Sequence, residues 1–282
     1  MDVSVIIVTY NTLRMTSECI DSIIEKTQEI DYEIILVDNK SEDGSKGYFE
    51  NDKRLTTYIY NNVNYGFGIA NNIGMKAAKG KYFFLLNSDT LLINNAIKEF
   101  FDYAEKNNDG SVYGCYLING NGEYSVSFFD FPAFTINAYF KRKCRKEQLI
   151  DNMQVRKVEA ITGADMFIPR KIIDIVGDFD PNIFMYGEEG ELQYRMMRCG
   201  IERILIPMPK IIHFEEQSAT PSIKKQAMKL KGHFIILNKH MDKLTYIIAR
   251  FYYAMSYTVK YLPKLFSNKD YILLLKAIYL CK

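Results

Sequence analysis

No stretch of this chain reaches the roughly 18 to 20 apolar residues that a membrane-spanning helix needs. The longest candidate, from about Leu244 to Val259, is broken by Arg250 and followed by Lys260. The start, Met1-Asp2-Val3-Ser4, has no basic segment running into an apolar one, so no secretory signal is expected there. Cysteine is scarce and odd in number: Cys19, Cys115, Cys144, Cys199 and Cys281 form no Cys-x-x-Cys pair and no regular spacing. That excludes a disulfide framework or a structural zinc site of ordinary spacing and fits a reducing compartment. Internal repeats and low-complexity linkers are also missing. The expectation is a cytoplasmic protein, attached at most peripherally to the inner face of the cell membrane.

What remains is a globular composition of 282 residues, 48% hydrophobic and 25% charged, enough to bury a sizeable core. The net charge of +2 hides an asymmetry. From Ser222 onward there are 12 Lys and Arg against only Asp242 and Asp270, a balance of +10, so the first 221 residues carry −8. A basic tail on a mildly acidic body implies an anionic partner. Tyr246, Tyr253, Tyr257 and Tyr261 recur at helical spacing among Lys243, Arg250, Lys260 and Lys264, which suits a membrane surface. The alternative is that this helix packs on the body or on a second copy in a homodimer. No nucleic-acid-binding motif accompanies the charge, so no nucleic acid partner is expected.

Hydrophobic patterning places strands and helices in alternation. Residues 3–9 form an apolar, β-branched run typical of a strand covered on both faces, and 13–26 follow as an amphipathic helix. Strands at 33–37 and 57–60, a helix at about 68–79 and a strand at 82–86 continue the pattern. The first hundred residues therefore read as a parallel α/β unit wound on both faces of a sheet. Residues 110–160 look irregular, with a turn-rich 119–122 and a basic patch from Lys141 to Lys146. Short strands, an acidic turn and a helix near 189–199 follow, and from 222 the pattern is helical.

Polar residues cluster just after the strands, at Thr9-Tyr10-Asn11, Asp38-Asn39 and Asn87-Ser88-Asp89. Ligands of open α/β sheets bind outside the carboxyl ends of strands, so these segments can converge. Asp89 is placed to hold a divalent cation against a diphosphate, although an Asp ending a strand is also a common turn residue. His213, one of three histidines, follows another strand-like run and with Asp89 would complete a mixed carboxylate and imidazole site. In Tyr186-Gly187-Glu188-Glu189-Gly190-Glu191, three crowded carboxyls can raise one pKa into the range of a general base. The same acids equally suit a helix N-terminus. Tyr65 to Asn72, rich in glycine and asparagine, reads as backbone approaching a nucleotide or sugar, or as a plain turn.

In order along the chain, six blocks resemble the family 2 glycosyltransferases of GT-A fold. They are Val3 to Asn11 with Ile35 to Ser45, Asn64 to Gly74, Leu85 to Asp89, Thr162 to Arg170, Phe179 to Arg195 and His213 to Ser218. The likeness spans about residues 2–220, with the rhamnosyltransferase-like enzymes of bacterial surface-polysaccharide synthesis as the nearest subgroup. It implies a Rossmann-like, mostly parallel central sheet flanked by helices. Residues 1–221 would be catalytic, with a nucleotide-binding half to about 110 and an acceptor half to 221. Residues 222–282 would add a basic, tyrosine-rich helical region.

The resemblance also implies roles. Thr9, Tyr10, Asn11, Asp38, Asn39, Ser41, Gly66, Phe67, Asn71, Asn87, Ser88 and Asp89 would line the donor site, with Asp38 accepting a hydrogen bond from the nucleotide base. Asp89 and His213 would bind Mg²⁺ or Mn²⁺. Thr162, Gly163, Ala164, Tyr186, Glu191 and Arg195 would meet the sugar or the acceptor. Glu189 would be the catalytic base, with Glu188 or Glu191 as substitutes. Asn87 stands where the family's metal motif usually begins with Asp, and Glu189 where its base is usually Asp. The implied activity is inverting transfer from a dTDP-rhamnose-like or UDP-hexose donor. The acceptor would be a glycan or polyprenyl-diphosphate-linked oligosaccharide, in O-antigen or capsule synthesis. A nucleotide-sugar-binding protein without transfer activity and a nucleotidyltransferase are the competing classes; the acidic turn at 188–191 favours the enzyme.

Overall fold

The computed structural model describes residues 1–131, 153–214, 223–266 and 268–280; the basic patch at Lys141 to Lys146 lies outside them. The first half alternates as expected: β1 (Val3–Thr9), α1 (Leu13–Lys26), β2 (Tyr32–Asp38), α2 (Ser45–Phe49), β3 (Thr57–Tyr60), α3 (Gly66–Ala77) and β4 (Tyr82–Asn87). There follow β5 (Thr90–Leu92), α4 (Ala96–Asn107), β6 (Val112–Cys115), β7 (Phe128–Phe129), β8 (Arg156–Lys157), β9 (Ala160–Ile161) and β10 (Asp165–Pro169). The remainder is α5 (Arg170–Val176), α6 (Glu188–Arg198), β11 (Arg203–Ile206), β12 (Ile211–His213), α7 (Ile223–His240), α8 (Lys243–Tyr261) and α9 (Tyr271–Leu280).

Eight strands form one sheet in the order β3-β2-β1-β4-β10-β6-β11-β8. The first four are parallel, and β10 runs antiparallel to both β4 and β6. Residues 112–115 are thus a fully buried strand inside a segment whose sequence looks irregular. Four residues with a central glycine carry too short a pattern to announce a strand; the flanking β10 and β11 supply its pairing. One sheet face packs against α1 and α4 through Ile20, Ile23, Ile97 and Phe100, the other against α3, α5 and α6 through Ala70, Met75, Ile172 and Leu192. Each such aliphatic side chain contributes about 1.5–3 kcal/mol by leaving water. A separate small core holds Leu230, Phe234, Leu237, Tyr246 and Ile278 of α7, α8 and α9.

The register positions the site. Thr9 pairs with Asp38 and Val8 with Asn87, so the carboxyl ends of β1, β2 and β4 lie level. Because β10 runs the opposite way, with Asp165 beside Leu86, the chain entering it through Thr162–Ala164 also arrives at that end. The short β5–β12 pair sets His213 opposite Thr90.

Candidate active site

Asp89 and His213 meet: His213 Nε2 lies 3.4 Å from Asp89 Oδ1 and 3.4 Å from Asn87 Nδ2. The Phe214 amide donates to the Asp89 carbonyl at 3.0 Å, locking the two chain segments together. Two donors of one cation at about 2.1 Å sit roughly 3 Å apart, so this pair fits a shared Mg²⁺ or Mn²⁺ with a small adjustment. Among the described residues no cluster of three or more His, Cys, Asp or Glu side chains is arranged to hold a metal. A cation here would therefore take its other ligands from phosphate oxygens and water, as Mg²⁺ commonly does.

From this pair the chain leads to the acidic turn. The Asn87 amide donates to the Ala164 carbonyl at 3.0 Å. At the preceding residue, Gly163, an added Cβ would stand 3.2 Å from the Phe67 ring and 3.9 Å from Glu189 Cβ. Thr162–Ala164 thus spans the distance between the Asp89–His213 pair and Glu189. The first turns of α3 and the loop before α6 also dock on each other. Asn72 donates to the Phe179 carbonyl at 2.9 Å and accepts from the Phe179 amide at 3.0 Å. The Phe67 amide donates to the Phe184 carbonyl at 3.2 Å. That carbonyl leaves no room for a side chain at Gly66, whose φ is +78 and whose added Cβ would sit 1.9 Å from it. Gly66→Ala should cost about 2–4 kcal/mol, combining left-handed strain with a backbone clash. Urea denaturation will show it, and an unshifted midpoint would mean that α3 and the loop before α6 do not need this contact.

Tyr186 at φ 69 and Gly187 at φ 115 turn the chain sharply into α6. A bulky residue in the left-handed region is an outlier of the kind that gathers at functional turns. The turn delivers Glu188 and Glu189 into the first turn of α6, where the helix dipole favours negative charge. Glu188 is 3% exposed, and its Oε2 has no hydrogen-bond partner among the described residues. Burial, and then the Glu189 charge, push the Glu188 carboxyl well above the usual carboxylate range. Burial also raises Glu189, while backbone amides and the Glu188 proton oppose the rise. Burial thus pushes both carboxyls up, Glu188 the further of the two. Glu189, Tyr186, Phe129, Asp130, Lys229 and His233 line a cavity of about 470 Å³.

Glu191 and Arg195 are placed differently from the acceptor role that the resemblance implies for them. Glu191 is wholly buried and bound by Arg195 at 2.9 Å, Lys239 at 2.7 Å and His240 at 3.0 Å. These partners overcome burial and hold its carboxyl down at about 2, which removes it as a base. Arg195 spends its other donors on the carbonyls of Val176, Gly177 and Asp178. The two residues fasten α7 and the 176–178 turn to α6.

Several donor-side residues build the floor of the cleft. Asp38 is fully buried, accepting from the Ser41 amide at 2.7 Å and from Tyr58 Oη at 2.9 Å. Asn39 donates to the Gly66 carbonyl and accepts from Asn61, and Asn11 and Ser41 bond across the loops after β1 and β2. Thr9 is buried in a hydroxyl cluster with Thr12 and Thr16, which Ser88 joins through Thr12 at 3.1 Å. Asn71 donates to the Phe67 carbonyl along α3. Tyr10, 48% exposed, is the one of these that offers a ring to a ligand. Thr162 bonds the Ser127 carbonyl.

Sequence reading missed Asp165, which is fully buried at the start of β10. It accepts from the Cys115 amide at 2.6 Å, its Oδ1 has no hydrogen-bond partner, and burial raises it to about 6. It also missed Lys229 and His233, because they sit on α7, some forty residues beyond the acidic turn, and reach the cavity only through tertiary packing.

The sequence profile described as glycosyl transferase family 2 matches residues 4–159. A poly(ribitol-phosphate) beta-glucosyltransferase of Bacillus spizizenii is 27% identical over 86% of this chain and 40% of its own length. The poly(ribitol-phosphate) beta-N-acetylglucosaminyltransferase TarP of Staphylococcus aureus is 32% identical over 43% of this chain and 38% of its own length. The chain spans about two fifths of the length of these curated relatives. In structure it is similar to GalNAc-T7, solved with UDP, GalNAc and Mn²⁺, at a TM-score of 0.66 and 19% identity over 92% of this chain and 51% of that one. TarS residues 1–349 of S. aureus give 0.59 and 14% identity over 99% and 81%. At these identities the structural likeness shows a shared GT-A fold.

Proposed function

We propose, from the premise that this chain belongs to glycosyl transferase family 2, that it transfers a sugar from a nucleotide-diphosphate donor to a hydroxyl of a cell-surface glycan, inverting the anomeric centre. The observation that supports this best is the approach of Glu189 to the Asp89–His213 pair through Thr162–Ala164. Glu189 takes the proton of the acceptor hydroxyl as that oxygen bonds to the anomeric carbon. The bond to the nucleotide diphosphate breaks on the opposite face, and the leaving oxygen keeps the electron pair. Asp89 and His213 would hold the divalent cation, which when bound neutralises charge developing on the diphosphate. The remaining residues hold donor and acceptor in line, where positioning is worth several kcal/mol of barrier.

The two relatives named for glucosyl and N-acetylglucosaminyl transfer to poly(ribitol-phosphate) favour a UDP-hexose donor over dTDP-rhamnose. Their names also favour a cell-surface polymer or its lipid-linked precursor as acceptor. Residues 1–221 would carry the chemistry, with α7 closing one wall of the acceptor cavity through Lys229 and His233.

The test is incubation of the full chain with UDP- and dTDP-sugars and Mn²⁺. Nucleoside diphosphate should appear, cease in EDTA and return with added Mn²⁺ or Mg²⁺. Binding of a sugar nucleotide without turnover would leave a binding protein. Pyrophosphate release from a nucleoside triphosphate and a sugar phosphate would instead make it a nucleotidyltransferase. Full turnover in EDTA would remove the metal role from Asp89 and His213.

A further inference from the structure

The two faces of α8 are made of different residues. The tyrosines expected from their spacing to meet a membrane turn inward: Tyr246 and Tyr261 are buried, and Tyr253 packs edge-on against Phe234 of α7 at 5.7 Å. Tyr261 stacks on Tyr271 of α9 at 5.5 Å. The outward face carries Leu244, Ile247, Ile248, Phe251, Met255 and Val259, each more than half exposed. Scattered exposed apolar residues are ordinary, but six on one side of a 19-residue helix make a continuous stripe about 23 Å long. No Asp or Glu occurs between Lys243 and Tyr261.

We propose that this outward face of α8 docks on an anionic lipid bilayer, lying in the plane of its surface. Lys243 stands at one end of the stripe, and Lys260 and Lys264 at the other lie over the Tyr261 ring at 5.1 and 5.7 Å, from which their flexible stems can swing to lipid phosphates when the stripe enters the acyl boundary. The single sign of charge argues for the bilayer over a second copy of the chain, whose own +10 tail would be repelled. Asp242, which caps α8 by accepting from the Thr245 amide at 2.9 Å, is already counted in that balance of +10. No described helix is long and apolar enough to cross the membrane, so the contact is interfacial.

The docking face also lies close to the proposed acceptor cavity. His233 lines that cavity, and its ring stands 5.3 Å from that of Tyr253 on α8. The inward side of α8 thus touches a residue that lines the cavity of Glu189. An acceptor carried on a lipid would be presented where the chemistry is proposed. The docking itself stands without the transfer reading.

The experiment is flotation of the full chain with vesicles of phosphatidylcholine alone or with 30% phosphatidylglycerol. Protein should float with the anionic vesicles and scarcely with the neutral ones. I248D/F251D/V259D should reduce the partition coefficient about tenfold or more, and K243E/K260E/K264E should remove the preference for anionic lipid. Thermal melts by circular dichroism check that both variants keep the wild-type fold, as expected for changes at exposed positions. Light scattering of the free protein separates the other occupants. A wild-type dimer that I248D/F251D/V259D converts to monomer, with no flotation of either, would assign the face to a second copy and overturn the proposal. A monomer that fails to float on anionic vesicles would overturn it as well.

Discussion

Glu189→Gln is expected to lower the transfer rate by about 10² to 10⁴-fold, the usual contribution of a positioned general base, while sugar-nucleotide binding stays near wild type. The substitution keeps the shape and the hydrogen bond from the Gly187 amide, 3.3 Å from Glu189 Oε2, so the turn into α6 should persist. What it removes is the proton acceptor. Glu188→Gln is the informative companion, because the Glu189 charge raises the Glu188 carboxyl whereas the Glu188 side chain lowers that of Glu189. With Glu189 still in place as the base, turnover should survive. The acid limb of the kcat/KM profile should stay near its wild-type position, since burial, the main cause of the raised Glu189 pKa, is unchanged and the amide can still donate to Glu189. In the wild type that limb belongs to the pair and should lie above the ordinary carboxylate range. Single-turnover release of nucleoside diphosphate, with donor affinity measured separately, checks both variants. If Glu188→Gln is the inactive one and Glu189→Gln turns over normally, the two roles exchange. If both turn over normally, the base lies elsewhere.

The parts of the molecule that could be read from the chain are those with long, repeated signals. The strands 3–9, 33–37 and 82–86 announce themselves because burial on both faces demands unbroken apolar, β-branched runs. The polar residues that end them then fall at one edge by parallel register alone. Strand β6 was hidden because four residues carry no period, and β10 because its antiparallel direction depends on pairing remote in sequence. The site shows the same division. Residue type and order pointed to Asp89, His213 and Glu189. They could not reveal that Glu191, two positions from Glu189, faces Lys239 and His240 of a helix some fifty residues later. A helix turns about 100° per residue, so neighbours in one acidic run look in different directions. The tyrosine row of α8 misled for a related reason. Its spacing marks a face correctly, but spacing cannot say whether that face meets lipid or protein, and Phe234 and Tyr271 settle it.

That division of the acidic run leads to the second large effect, which concerns stability. Glu191→Ala is expected to cost about 3–5 kcal/mol, as removing one partner of a buried ion pair does. The loss leaves Arg195, Lys239 and His240 facing one another with their common counter-charge gone, and it frees the end of α7 from α6. Asp180, which accepts from Lys239 at 2.7 Å, recovers only part of this. The pH dependence provides an independent check with a definite sign. The Glu191 carboxyl falls from an ordinary 4.5 to about 2 in the fold, so its contribution is complete above the unfolded value and fades as pH drops from about 5 towards 2. That difference corresponds to something on the order of 3 kcal/mol, trimmed by the water that reaches the 39%-exposed Lys239. Urea titrations of wild type and Glu191→Ala at pH 7 and pH 4 should therefore show a gap that narrows at the lower pH. A gap equal at both would assign the cost to lost packing, and no gap at all would mean that α7 is held to the catalytic body by its apolar contacts alone.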